Sequence, residues 1–178
     1  MTMRRSIPDP GFAGDDGRVD PGVSAALAAY DRAPDSAEAT RRREALAALQ
    51  ESRVLVPVVA VLGEVEYDEH GLSRDKTSDM AAVLMTGRDG RTALLAFTGS
   101  ESLARWNASN NGSEARPVPV TFRQAAQSAL HDGASALLLD VAGPVLFVIE
   151  GEELRSLAVG DRLVPLPGGR WGWASTAG

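Results

Sequence analysis

The chain has 178 residues, 44% of them hydrophobic and 24% charged, with a formal net charge of −6 and no cysteine. That length and composition fit one soluble domain with tails, whose ordered body buries roughly two-thirds of its unfolded surface. The missing cysteine excludes disulfides, thiolate nucleophiles and cysteine-ligated metals. The acidic balance argues against a phosphate backbone as partner, since counterion release needs a basic face. The longest apolar run, Val54 to Leu62, is too short for a membrane span. Neither nucleic acid nor membrane is therefore an expected partner. No secretory signal is expected, because Asp, Gly and Pro follow Arg4-Arg5 where an apolar stretch would stand. A cytoplasmic protein is the expectation.

Residues 1–19 lack periodicity and read as a disordered N-terminal tail. Residues 20–52 read as N-terminal helices. Asp20-Pro21 is an N-cap followed by a first-turn proline, and Val23, Leu27 and Tyr30 mark one apolar face. Asp35 with Glu38 resembles a capping box for a second helix, Ser36 to Glu51. Leu46 and Leu49 mark its buried side, and Arg41, Arg42 and Arg43 read as solvated.

Arg53 to Glu64 reads as a strand. Its apolar continuity suggests burial on both faces, while Pro57 argues for an edge position or a bulge. An edge at Val54–Leu62 would let the chain pair with its own copy, so a homodimer is one expected assembly. Residues 65–79 form the most polar stretch of the body. Met80–Thr86 and Thr92–Phe97 read as strands joined at Asp89-Gly90, a hairpin signal. A helix from an N-cap at Ser100 to Trp106 follows, then a loop over 107–116. Val118–Val120 is a short extended piece. Thr121 with Gln124 is a capping box for a helix to His131, and Gly133 suits a left-handed residue after it. Strands at Ala134–Leu139 and Val145–Ile149 flank a turn at Val141–Gly143, and a helix covers Glu152–Ala158. Residues 167–178, with Trp171 and Trp173, read as a flexible C-terminal tail.

The chain thus states one pattern twice, over 81–106 and 135–158: strand, hairpin, strand, amphipathic helix. Thr92–Gly99 superposes on Pro144–Gly151 without a gap, and Leu103 and Trp106 match Leu154 and Leu157 after a one-residue deletion. Each hairpin is expected under its own following helix. The predicted fold is α+β, a mixed and largely antiparallel sheet of five to seven strands covered by helices.

Reactive chemistry is sparse. His70 lies in the loop sequence DEHG, where neighbouring side chains diverge rather than converge on a metal. His131 ends a helix, where a cation suits the dipole. No G-x-S-x-G elbow or phosphate-binding loop occurs. No catalytic residue, metal site or cofactor is predicted. The polar stretch 74–79 and the charged hairpin mark a contact surface for a protein partner or ligand: Lys76, Asp79, Arg88, Asp89 and Arg91, with Trp106 as a core plug or ligand platform.

The segments LVPVVAVLGE (55–64), DKTSDMAAVLMTGRDGRTALLAFTGSESLARW (75–106), RPVPV (116–120) and GASALLLDVAGPVLFVIEGEEL (133–154) resemble the N-terminal domain family of SseB, the enhanced serine sensitivity protein. The likeness is closest to the actinobacterial single-domain type, with the SseB-like domain at 53–166. It implies no reaction and no catalytic residues. A non-catalytic interaction or regulatory module is the leading expectation. A small-molecule sensor for an amino-acid-related ligand, or an enzyme, is the alternative.

Overall fold

The Asp20 carboxylate accepts the backbone N–H groups of Gly22 and Val23, so helix α1 (Pro21–Asp31) begins where its cap and proline direct it. This is a computed structural model, and it describes residues 11–61, 79–110 and 115–175. Helix α2 (Asp35–Gln50) starts differently from the expected capping box. Pro34 is its N-cap without a side-chain bond, and Asp35 stands in the first turn, where its charge meets the helix dipole. Arg42 is not solvated. Its Nη2 donates to Val148 O at 2.8 Å and to Glu153 Oε2 at 2.5 Å, and the guanidinium sits 4.7 Å from the Phe147 ring centroid. Sequence could not show that its partners lie more than a hundred residues away.

Strand β1 (Arg53–Val61) is central, not an edge. It pairs antiparallel with β2 (Asp79–Ala82) on one side and β5 (Arg116–Thr121) on the other. The expected strand Met80–Thr86 is accordingly two pieces, β2 and β3 (Leu84–Thr86), broken at Val83. Pro57 explains the break. Leu55 exchanges both backbone bonds with Phe97, so Pro57, two residues on, also faces away from β5. Its carbonyl accepts from Val83 N at 3.0 Å, but it has no N–H to return. The β1–β2 ladder therefore stops at Val58–Ala82, and Val83 O accepts instead from Leu95 N of β4 (Thr92–Ala96). Pro117 and Pro119 of β5 are likewise turned outward, so they blunt the sheet edge rather than interrupt it.

Strands β3, β4, β6 (Ala136–Leu139) and β7 (Phe147–Glu150) form a four-stranded sheet in that order. Only β4 and β6 are parallel. The Leu55–Phe97 bridge joins it to the three-stranded sheet β2-β1-β5, giving, among the described residues, seven strands of mixed, mostly antiparallel pairing. The fold is α+β.

The two repeats join through β4 and β6, but their helices do not pack alike. Helix α5 (Gly151–Val159) lies on face one, with α1, α2 and α4 (Phe122–His131), over Leu94, Ala96, Leu137, Leu139, Phe147 and Ile149. Helix α3 (Ser100–Ser109) lies on face two, where Leu103 and Trp106 pack against Leu55, Leu95 and Phe97. Matching leucines in the sequence thus anchor opposite layers. Gly99, not Ser100, is the N-cap of α3, and the helix runs on through part of the expected loop. The Thr121–Gln124 capping box of α4 forms as read, and Gly133 takes φ 74°.

Residues 170–174, expected within a flexible tail, form β9 (Arg170–Ala174), hairpinned to β8 (Arg162–Leu166). Trp171 and Trp173 are half-buried against the main core. Gln50 docks the hairpin by donating to Leu163 O at 2.8 Å and accepting from Leu163 N at 2.9 Å. Helix α5 ends at Gly160, with φ 95°, where a Cβ would meet the Arg123 guanidinium at 2.7 Å. Gly160→Ala should therefore cost about 1–3 kcal/mol in urea unfolding, combining left-handed strain with displacement of Arg123.

Candidate functional site

Of the residues singled out in the sequence, Arg88, Asp89 and Arg91 stand together and Trp106 stands apart from them. Lys76 lies outside the described residues. Asp79 opens β2, its backbone paired with Val61. Arg88, Asp89 and Arg91 occupy the β3–β4 turn, all exposed. There the charges answer one another: Asp89 accepts from Arg91 Nε at 2.7 Å and Arg91 N at 3.1 Å, and Arg91 Nη1 reaches Glu150 at 3.2 Å. The bond from Arg91 holds the Asp89 carboxyl below its usual range. Trp106 is buried on α3, on face two, with its ring 5.8 Å from Phe97.

A site missed in the sequence lies at the carboxyl ends of the parallel pair β4 and β6. Such ends, where connections diverge, are where open α/β sheets place ligands. Thr98 and Gly99 lead from β4 into α3, while Asp140 turns the chain out of β6 at φ 52°. The Asp140 side chain is fully buried. Its Oδ1 accepts from Thr98 N at 2.9 Å and Ser102 Oγ at 2.6 Å, and its Oδ2 from Thr98 Oγ1 at 2.6 Å. Burial raises its pKa, and the bonds from Ser102 and Thr98 oppose that rise. Ser102 Oγ also stands 3.0 Å from Gly99 O, so its single proton has an alternative acceptor when Asp140 is protonated. The usable signal was a polar residue ending each of two apolar runs, Thr98 after TALLAF and Asp140 after ALLL.

Above this trio is a cleft of about 580 Å³, walled by Val19, Leu27, Pro144 and Val145, with Ser100 and Arg105 at its polar side. Arg105 is paired with Glu101. The cleft's outer wall is Gly17, Arg18 and Val19, in a segment expected as disordered tail but tied down here. Arg53 grips Asp15 through two bonds of 2.6 and 2.9 Å and also donates to Arg18 O and Thr98 O. Gly17 O accepts from Ser100 N at 2.7 Å. The Arg53 bond lowers the Asp15 pKa. This clamp is complete above the unfolded value of 3.8 and is lost as pH falls through the lowered folded one. Asp15→Asn should destabilise the protein by about 1–3 kcal/mol at neutral pH and erase that acid dependence, measured by urea unfolding across pH.

A third feature is an apolar groove of about 620 Å³ on face one, beyond the end of α4. Val56, Val58, Ala82 and Val120 form its floor. Met80, Leu84 and Val118 stand around it with 52%, 38% and 38% of their surface exposed. Among the described residues, no group of three His, Asp or Glu side chains gathers as a metal site, and no helix is long and apolar enough to cross a membrane.

Comparison with known proteins found no match among curated proteins and none among solved structures. A family model described as the SseB protein N-terminal domain matches residues 23–156, from within α1 to within α5. The match takes in both N-terminal helices, the whole seven-stranded sheet, the cleft trio and the groove. The chain belongs to the SseB N-terminal domain family.

Proposed function

We propose that the chain is a non-catalytic interaction module, cytoplasmic in location, which docks a protein on the groove over β5, β1 and β2. One observation carries this reading. Met80, Leu84 and Val118 are large apolar side chains left exposed around a single groove with an apolar floor. Each costs hydration that a docked partner would remove. The charged hairpin is a weaker contact surface, because Asp89, Arg91 and Glu150 already satisfy one another. A photo-crosslinking residue at Met80 or Val118 should yield discrete adducts in living cells. The same residue at Leu166, equally exposed but away from the groove, should not. Adducts from Leu166 alone would refute the reading.

A second reading has its own observation. The cleft over Thr98, Ser102 and Asp140 has the position and volume of a small-ligand site. An amino-acid-related ligand sensed there would raise thermal stability. Free ligand at a hundred times its dissociation constant adds about 2.7 kcal/mol. A metabolite thermal-shift screen that includes serine tests this, and a flat result removes it.

A further inference from the structure

The groove has a charge pattern that suits one occupant above others. Arg116, two residues before Val118, shares its face and stands level with Val58 and Ala82, at the outer end on the β5 edge. Asp132 caps α4 at the inner end and lines the groove there. Both are exposed, and among the described residues neither has an ion-pair partner. The strip therefore carries a cation at one end and an anion at the other, unpaired among the described residues, with apolar surface between. A two-fold axis through its middle turns such a strip onto itself with opposite charges matched. Arg116 of each copy then faces Asp132 of the other. Met80, the most exposed of the groove's apolar side chains and flexible, is a knob for the floor of Val56, Val58 and Val120 in the opposing copy.

We infer that the groove is the interface of a symmetric homodimer, built from groove-to-groove contact and two reciprocal Arg116–Asp132 pairs. This names the partner of the docking site above and rests on that reading. The route expected from the sequence, edge pairing of Val54–Leu62, is closed because β1 has a strand on each side.

Sedimentation velocity of the purified full chain, from micromolar to millimolar, tests it. The wild type should dimerise with rising concentration. Met80→Asp should stay monomeric while keeping its far-UV circular dichroism, since the side chain is half exposed. Arg116→Glu and Asp132→Arg should each weaken dimerisation about tenfold or more by placing like charges together. The double variant Arg116→Glu/Asp132→Arg should restore it. A wild type that remains monomeric throughout overturns the inference, as does a dimer indifferent to Met80→Asp or a double variant no better than the single ones. A monomer that still gives groove adducts to a different protein in cells overturns only the homodimer and leaves the docking function standing.

Discussion

Asp140→Ala should destabilise the protein by about 3–5 kcal/mol, read from urea unfolding at neutral pH. The change strips the acceptor from Thr98 N, Thr98 Oγ1 and Ser102 Oγ, on residues buried at the floor of the cleft. An orphaned buried donor costs about 1–3 kcal/mol, and the two hydroxyls escape part of that by turning to other acceptors. Alanine at φ 52° adds about 1–2 kcal/mol of left-handed strain. Asp140→Asn is the control. Its amide oxygen keeps Thr98 N and Ser102, its NH2 donates to Thr98 Oγ1, and asparagine tolerates the backbone. It should fold with a loss of about 1 kcal/mol or less. Wild type and Asp140→Asn also separate by pH. The folded pKa of Asp140 lies above its unfolded value of 3.8, so ionisation costs stability as pH rises through that window. Wild type should gain on Asp140→Asn as pH falls toward 3.8. An alanine variant losing under about 1 kcal/mol would show that Asp140 does not brace the β4 and β6 ends.

Phe147→Ala should cost a comparable amount, about 3–5 kcal/mol, through loss of a large side chain with no exposure. The expected effect is also directional. The ring meets Tyr30 of α1 edge-on at 5.2 Å and lies under the Arg42 guanidinium of α2. Its removal leaves Arg42 with Glu153 and Val148 O but without the face it covers. Amides of α1 and α2 should then lose hydrogen-exchange protection before those of β4 and β6. Equal loss everywhere would mean that the two helices unfold only with the sheet.

The strand-turn-strand-helix pattern was legible because each copy is local. Alternation, Asp89-Gly90 and the Thr121–Gln124 box act over a few residues, and the structure keeps them. What depended on distant partners was not legible. Pro57 argues for an edge or a bulge until Leu55 is seen to face Phe97, which turns the missing N–H toward the Val83 break. Arg42 reads as solvated until Phe147 and Glu153 arrive from the second repeat. Leu103 and Leu154 match in sequence, yet nothing in either copy says which sheet face its helix will cover. Asp140 is one carboxylate among 24 Asp and Glu residues, and only the parallel pairing of β4 with β6 sets it against Thr98. The groove is hidden for the same reason. Met80 and Val118 alternate as core residues do, and their exposure follows from α4 ending before it covers them.

The proposed working surface of this chain is the groove and not the cleft. Hydrogen exchange on isotope-labelled protein decides between them, comparing native cell extract with dilute buffer. Docking on the groove should slow exchange in extract within residues 79–84 and 116–121, with Thr98–Arg105 and Asp140–Val145 unchanged. Protection confined to the latter two segments would contradict it and make the chain a small-molecule binder instead.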